Sequence, residues 1–269
     1  MATQRQPPLA SRTPAPAPWT THCEYFWLLT WPSSPLAKGT YDSLESSHLA
    51  NDLNHPISGP GMIQIVRYTN TPVGPYDELV YLPGLFTTPG GSRKGKKHFR
   101  VTRIYVSQRE TCHDGRVNWN IPKHLARFEF SHPVTAKGQS PPKRLEMKVF
   151  PPSSEEGSDK PFFQATLTPS TWLPSFPLST RWMPLSTLLV QPPLPKGEDR
   201  DLPGTDVWRS SDLQAWTKRA RVMWVDQKGS EEGGLEEKGK WWPNVKPWSF
   251  GIWLQNATLE IAVPEEFEA

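Results

Sequence analysis

Cysteine is scarce in this chain: Cys23 and Cys112 are the two in 269 residues, and neither stands in a CxxC or Cys/His ligand spacing. That excludes a disulfide framework and a cysteine-built zinc site, and it fits a reducing compartment. An excess of either charge is lacking too. Thirty Lys and Arg against 27 Asp and Glu leave +3, too little for a chain whose main work is polyanion binding, so no nucleic-acid partner is expected. No apolar run approaches the roughly 18 residues that cross a bilayer, and the N-terminal stretch is proline-rich and polar where a signal peptide needs an apolar core. The expectation is a soluble, cytoplasmic protein with no membrane partner. Asn256-Ala257-Thr258 has the form of a glycosylation sequon, but without a secretion signal it reads as ordinary strand sequence.

Proline, by contrast, is abundant, at 31 residues, while 13 Trp and a hydrophobic share of 36% argue against a disordered chain. Each interior proline removes a helix hydrogen bond, so long helices are not expected. Residues 1–18 show no apolar periodicity and read as a disordered tail, with a single domain over 19–269. Within it, short segments rich in β-branched and aromatic residues alternate with Pro/Gly/Ser/Asp punctuation: Glu24–Trp31, Gly61–Thr69, Glu78–Leu82, Arg100–Ser107, Ala126–His132, Arg144–Phe150, Phe162–Thr168, Ser186–Gln191, Ala220–Asp226 and Phe250–Val263. Strict alternation, as in Arg127-Phe128-Glu129-Phe130, favours antiparallel pairing in a barrel or sandwich. The best helix candidate is Tyr41–Leu53. Two charged stretches, Arg93–His98 (basic) and Glu231–Glu237 (acidic), read as solvated loops.

Two short segments carry chemistry. Free lysine, near pKa 10.4, is almost wholly protonated at neutral pH, so a nucleophilic lysine needs surroundings that favour the neutral amine. Lys123 lies in the largely apolar Trp119-Asn120-Ile121-Pro122-Lys123-His124-Leu125-Ala126, with His124 as a second group able to carry positive charge. The plain alternative is a lysine snorkelling from a short turn. In Gly74-Pro75-Tyr76-Asp77-Glu78-Leu79 a turn delivers two carboxylates just before an apolar strand, and an extended Glu78 shares a face with Val80 and Leu82. If that face is interior, Glu78 is a buried carboxylate that needs a proton or a cation; if not, the pair is a solvated strand start.

These segments resemble a known family. Gly115-Arg116-Val117-Asn118-Trp119-Asn120-Ile121-Pro122-Lys123-His124 is similar to the GRxxxxxPKK signature of the acetoacetate decarboxylase-like superfamily, and Val73–Leu79 resembles the segment that brings the family's glutamate to the same cavity. The whole looks most like fungal members, best from about Gly59 to Phe130. The resemblance implies a mainly β protein, an antiparallel β-barrel or cone with a few short helices. It further implies that Lys123 forms a Schiff base with a β-keto acid, and that Glu78 positions water or a proton. Arg116 either holds a substrate carboxylate or braces the loop through an ion pair. Tyr76, Trp119 and His124, close to the motifs, join Arg116 as candidate substrate-binding residues. The chain departs from the signature at His124, where the second lysine stands, and at Gln64, where the family has an acidic residue in the preceding strand.

The functional expectation is therefore a cofactor-independent, Schiff-base-forming decarboxylase of β-keto acids or polyketide-like carbonyl compounds in secondary metabolism, with aldolase-dehydratase chemistry as a close variant. Two readings compete with it: a non-catalytic ligand-binding protein on the same fold, and an interaction protein whose tryptophan-rich C-terminal half builds a homo-oligomer interface. No metal, nucleotide or flavin motif is present in the sequence.

Overall fold

In the computed structural model, residues 14–31, 35–49, 58–152, 160–184, 186–228 and 239–269 are described. The first half of the chain contributes β1 (Trp19–Thr30), α1 (Ser43–His48), β2 (Gly61–Asn70), β3 (Tyr76–Leu82), β4 (Leu85–Thr87), β5 (Lys97–Phe99), β6 (Arg103–Val106), α2 (Arg109–Trp119), β7 (Lys123–Leu125) and β8 (Arg127–Phe130). The second half adds β9 (Leu145–Phe150), β10 (Phe163–Pro169), β11 (Phe176–Ser179), β12 (Leu189–Gln191), β13 (Trp208–Ser211), β14 (Leu213–Lys228), β15 (Pro247–Ile261) and β16 (Glu265–Phe267).

The main sheet runs β7-β6-β3-β2-β1-β15-β14-β10-β9-β8, with β11 also on β14. Its two edge strands, β7 and β8, are separated in sequence only by Ala126, whose N–H donates to the Val106 carbonyl at 2.9 Å. The chain itself thus joins the edges, and the sheet curls into a nearly closed barrel. Pairing is antiparallel except between β6 and β7. A smaller sheet, β16-β13-β12-β5-β4, packs alongside, with one parallel contact between β12 and β5.

The central strand β1 shows why the barrel forms here. Its first turn of sequence alternates, with Trp19, Thr21 and Cys23 buried and Thr20 and His22 exposed, and then Glu24 to Leu28 are buried on both faces. Tyr25 and Trp27 belong to one apolar cluster and Phe26 and Leu28 to the other. The two clusters cover opposite faces of the same strands, as the period-2 geometry of a strand requires.

Several sequence expectations meet a different outcome. Arg109–Trp119 is a helix, which hydrophobic periodicity does not indicate because its buried residues are Glu110, Thr111, Cys112, Asp114, Gly115, Arg116 and Trp119. The expected Tyr41–Leu53 helix is a single short one, Ser43–His48, capped by Asp42; residues 50–57 lie outside the described residues. The expected basic loop is partly structured: Arg93 pairs with Glu265, and buried His98 meets the Thr88 hydroxyl at 2.8 Å from Nδ1. The acidic stretch Glu231–Glu237 lies outside the described residues, as do residues 1–13 of the expected tail. Residues 14–18 are docked on α2, where the Ala15 N–H donates to Asp114 (3.1 Å) and its carbonyl accepts from Asn118 (2.8 Å) and Trp19 (3.0 Å).

Candidate active site

Helix α2 ends at Asn120, which adopts the left-handed conformation at φ 55° and donates its N–H to the Arg116 carbonyl. Ile121 N–H then bonds the Gly115 carbonyl at 3.2 Å. This is the reversal by which many helices close, and it turns Ile121-Pro122 back along the helix into β7. Lys123 is the first residue of β7. Its register partner is Ile104, and the partner of Ile104 on β3 is Val80. Lys123, Ile104 and Val80 therefore align across three strands on one face, and Glu78 is the next residue of β3 on that face.

The lysine stem passes directly over Gly115. A Cβ at that glycine would lie 2.6 Å from Lys123 Cδ and 2.7 Å from Cε, closer than such atoms approach. The Gly-Arg to Pro-Lys spacing is thereby explained: the glycine opens the channel through which the lysine reaches the cavity. Nζ contacts the Glu78 carboxylate (Oε1) and donates to Thr111 Oγ1 at 2.9 Å. Both residues are almost completely buried, at 4% and 5% exposure. Tyr68 donates its hydroxyl to Glu78 Oε2 at 3.3 Å, and the Tyr76 ring centroid lies 5.2 Å from Nζ. Burial, with the Glu78 charge second, pushes the phenols of Tyr68 and Tyr76 well above their usual range, so both stay protonated donors.

Beyond this polar end the cavity is apolar. It encloses about 260 Å³ between Trp27, Val66, Val80, Ile104 and Trp119, among others, with Tyr25, Gln64, Tyr68, Thr180 and Thr187 among its uncharged polar residues. Neither cysteine supplies a thiolate. Burial raises Cys23 far above its ordinary value and pushes Cys112 up to about 12. Cys112 instead donates Sγ–H to the Lys123 carbonyl at 3.1 Å and steadies β7.

Of the residues singled out in the sequence, Lys123, Glu78 and Trp119 line the cavity and Tyr76 lies beside the lysine amine, whereas Arg116 and His124 lie elsewhere. Arg116, fully buried, donates to Glu45 Oε1 (2.8 Å) and to the carbonyls of Pro195 (2.8 Å) and Pro203 (3.1 Å). It braces α2 against α1 and a later loop and does not line the cavity. His124, next to Lys123 on a strand, points to the opposite face and meets Glu45 Oε2 at 2.8 Å. It is therefore not the cationic neighbour of the lysine amine that sequence adjacency suggests. Burial works against ionising Glu45, but His124 and Arg116 overcome it and hold the carboxyl below its usual range. Asp42, Glu45 and His124 bring three potential metal-ligating atoms within 4.8 Å of one another. Each is already engaged: Asp42 caps α1 and pairs with Arg103 at 2.9 Å, and Glu45 lies between Arg116 and His124. The group reads as an ion-pair network.

Sequence reasoning missed Thr111, Tyr68 and Glu45. Thr111 carried no signal without the helix that presents it, whereas Tyr68 follows Gln64 and Val66 on the cavity face of a strand and was open to the same alternation argument as Glu78.

With this geometry in hand, comparison with solved structures gives the fold class. The chain has the acetoacetate decarboxylase-like fold. It superposes on acetoacetate decarboxylase from Legionella pneumophila with a TM-score of 0.59 and 12% identity, over 98% of this chain and 92% of that one. An acetoacetate decarboxylase-like enzyme from Sphingomonas wittichii RW1 gives 0.59 and 10%, over 99% of both. MppR, an enduracididine biosynthesis enzyme in complex with pyruvate, gives 0.57 and 16%, over 95% and 92%. In sequence, a rice (Oryza sativa subsp. japonica) protein, NEOXANTHIN-DEFICIENT 1, is 32% identical over 68 residues, which are 25% of this chain and 21% of that protein. The chain thus matches about a fifth of that relative's length. No family model matches the chain.

Proposed function

We propose that the protein is an imine-forming enzyme in which Lys123 is the nucleophile and Glu78 the proton-transfer group. The observation that carries this reading is the burial of the Lys123 amine at the end of an apolar cavity, in contact with the Glu78 carboxylate and the Thr111 hydroxyl. A buried primary amine beside a carboxylate suits carbonyl chemistry. Glu78 accepts the ammonium proton, the free amine adds to a substrate carbonyl, and the same carboxyl returns the proton as water leaves. The resulting protonated imine draws electrons from the adjacent carbon–carbon bond, which breaks to leave an enamine on Lys123; protonation at carbon and hydrolysis then restore the lysine. Lysine activation by desolvation or a cationic neighbour in acetoacetate decarboxylase is an established example of this chemistry; here the described residues provide burial rather than a second cation. Loss of CO2 from a β-keto acid, as the sequence resemblance implies, and aldol-type cleavage are two outcomes of the same protonated imine. That MppR, on this fold, has been captured with a condensation product of pyruvate and imidazole 4-carboxaldehyde supports carbonyl condensation as within its reach.

The test is reductive trapping with borohydride in the presence of small carbonyl compounds. Wild-type protein is expected to gain a covalent adduct, and Lys123→Ala and Lys123→Arg, compared per folded molecule, to lose it. Arginine is always protonated and cannot add to a carbonyl. Equal trapping in wild type and both variants would overturn the assignment.

A further inference from the structure

We propose that the carbonyl substrate of this site is electrically neutral and apolar, so that the carbon–carbon bond broken or formed is of the aldol type rather than a bond to a departing carboxylate. The inference rests on the imine reading above and adds the substrate class. It comes from where the cations are. Lys123 is the one lysine buried among the described residues, and its charge is matched within the cavity by Glu78. The buried arginines of the described chain, Arg67, Arg100, Arg103 and Arg116, are all turned elsewhere.

The strand pattern explains each case. On β2, Gln64, Val66 and Tyr68 face the cavity, which places Arg67 on the other face, between Glu24 at 3.5 Å and Asp77 at 3.7 Å and stacked on Phe130. Ile104 faces the cavity, so Arg103 lies opposite, donating to the carbonyls of Gly39 and Tyr41 and to Asp42. Arg100 stacks over Phe86 and Trp208 while its neighbour Val101 lines the cavity. Arg116 braces α2. A substrate carboxylate would therefore enter an apolar space of about 260 Å³ with no cation left to meet it, because Lys123 is either matched by Glu78 or, once Glu78 has taken its proton, neutral. An unpaired anion in such surroundings is strongly disfavoured. A neutral β-hydroxy ketone meets no such penalty. Its chain packs against Trp27, Val80, Ile104 and Trp119, and Gln64 or Tyr68 can hydrogen-bond its hydroxyl.

In the cleavage direction the amine of Lys123 and the ketone give the protonated imine and one water. Glu78 takes the proton of the β-hydroxyl, the carbon–carbon bond breaks with its electron pair passing to the imine nitrogen, and an aldehyde leaves. The enamine takes a proton at carbon, and water hydrolyses the imine to release the smaller ketone, so no oxidant, reductant or cofactor is consumed.

Matched probes test this. Benzoylacetone and benzoylacetate, like acetylacetone and acetoacetate, differ by a methyl group against a carboxylate oxygen. Occupancy of Lys123 is measured against probe concentration by intact mass, directly for the enaminone that the diketones form and after borohydride reduction for the keto acids, and release of benzaldehyde from 4-hydroxy-4-phenylbutan-2-one is followed by absorbance. The expected result is that each neutral probe half-saturates at least about tenfold lower than its carboxylate partner and that benzaldehyde release depends on Lys123. Gln64→Arg, which adds a cation to the lining, should narrow or reverse the preference. Carboxylate probes labelling Lys123 as well as or better than the neutral ones would overturn the substrate class and leave the imine reading standing. No Lys123 adduct with any probe, in folded protein, would overturn both.

Discussion

Replacing Gly115 by alanine separates the packing of the site from its chemistry. The new Cβ would stand 2.6, 2.7 and 3.3 Å from Cδ, Cε and Cγ of Lys123, whereas carbon atoms in contact sit about 3.5–4.0 Å apart. The stem must then move by about 1 Å, because the backbone of α2 is fixed on its other side by Arg116 and by the hydrogen bond from Ile121 to the Gly115 carbonyl. Two stability effects oppose each other. Alanine favours the helix by about 1 kcal/mol over glycine, and overpacking a buried site costs about 1–3 kcal/mol, so the net loss is about 0–2 kcal/mol and Tm falls by at most about 8 °C. The consequence for Nζ is larger, because it leaves Glu78 and Thr111, and misplacement of a reacting group by about 1 Å can cost about a hundredfold in rate. The assay is the rate of reductive trapping at Lys123 alongside thermal melting. A variant with wild-type trapping rate would refute the placement of the lysine stem across this glycine.

Glu78→Gln keeps the shape and removes the proton acceptor, so trapping is expected to slow by about 10²–10⁴; an unchanged rate would assign proton transfer to another group. Arg116→Ala leaves Glu45 buried beside only His124 and should cost about 3–5 kcal/mol, seen as a Tm lowered by roughly 6–20 °C, with trapping per folded molecule retained. His124→Lys recreates the second lysine of the signature, but on the face that meets Glu45, so it should not accelerate trapping; a marked gain would place that side chain at the cavity after all. Asp77 is pushed up to about 6 by burial, against the pull of Arg67. Its protonated form is favoured in the fold, so the penalty for ionising it is absent below about 3.8 and fully present above about 6. Asp77→Asn should raise Tm relative to wild type above pH 6 and converge with it near pH 4, and parallel melting curves across that range would contradict the shift.

Much of the fold was legible because barrel strands announce themselves by alternation. Gly61–Thr69 and Glu78–Leu82 coincide with β2 and β3 almost residue for residue, and the same period placed Glu78 on one face with Val80 and Leu82. Helix α2 was not legible. Its buried face is polar because it is held by ion pairs and hydrogen bonds rather than by apolar packing, and a periodicity search sees only the latter. That omission had a consequence for the site, since Thr111 and the passage of the lysine over Gly115 exist only once the helix is drawn. Adjacency in sequence also misled at His124: on a strand, neighbours face opposite ways, so the residue beside the lysine is the one least able to share its cavity. Arg116 admitted two uses from sequence, and the carbonyls of Pro195 and Pro203 that select the bracing role lie far along the chain.

The central claim, that the buried lysine at the end of the cavity is the nucleophile, is tested most directly by locating the adduct. After borohydride reduction in the presence of the neutral monoketone 4-phenylbutan-2-one, peptide mass mapping should find the modification on Lys123. The exposed lysines Lys94, Lys96 and Lys97 of the basic tip provide an internal control for non-specific reaction. Modification confined to Lys123 is the predicted result; modification spread over the exposed lysines, with Lys123 untouched, would contradict the account.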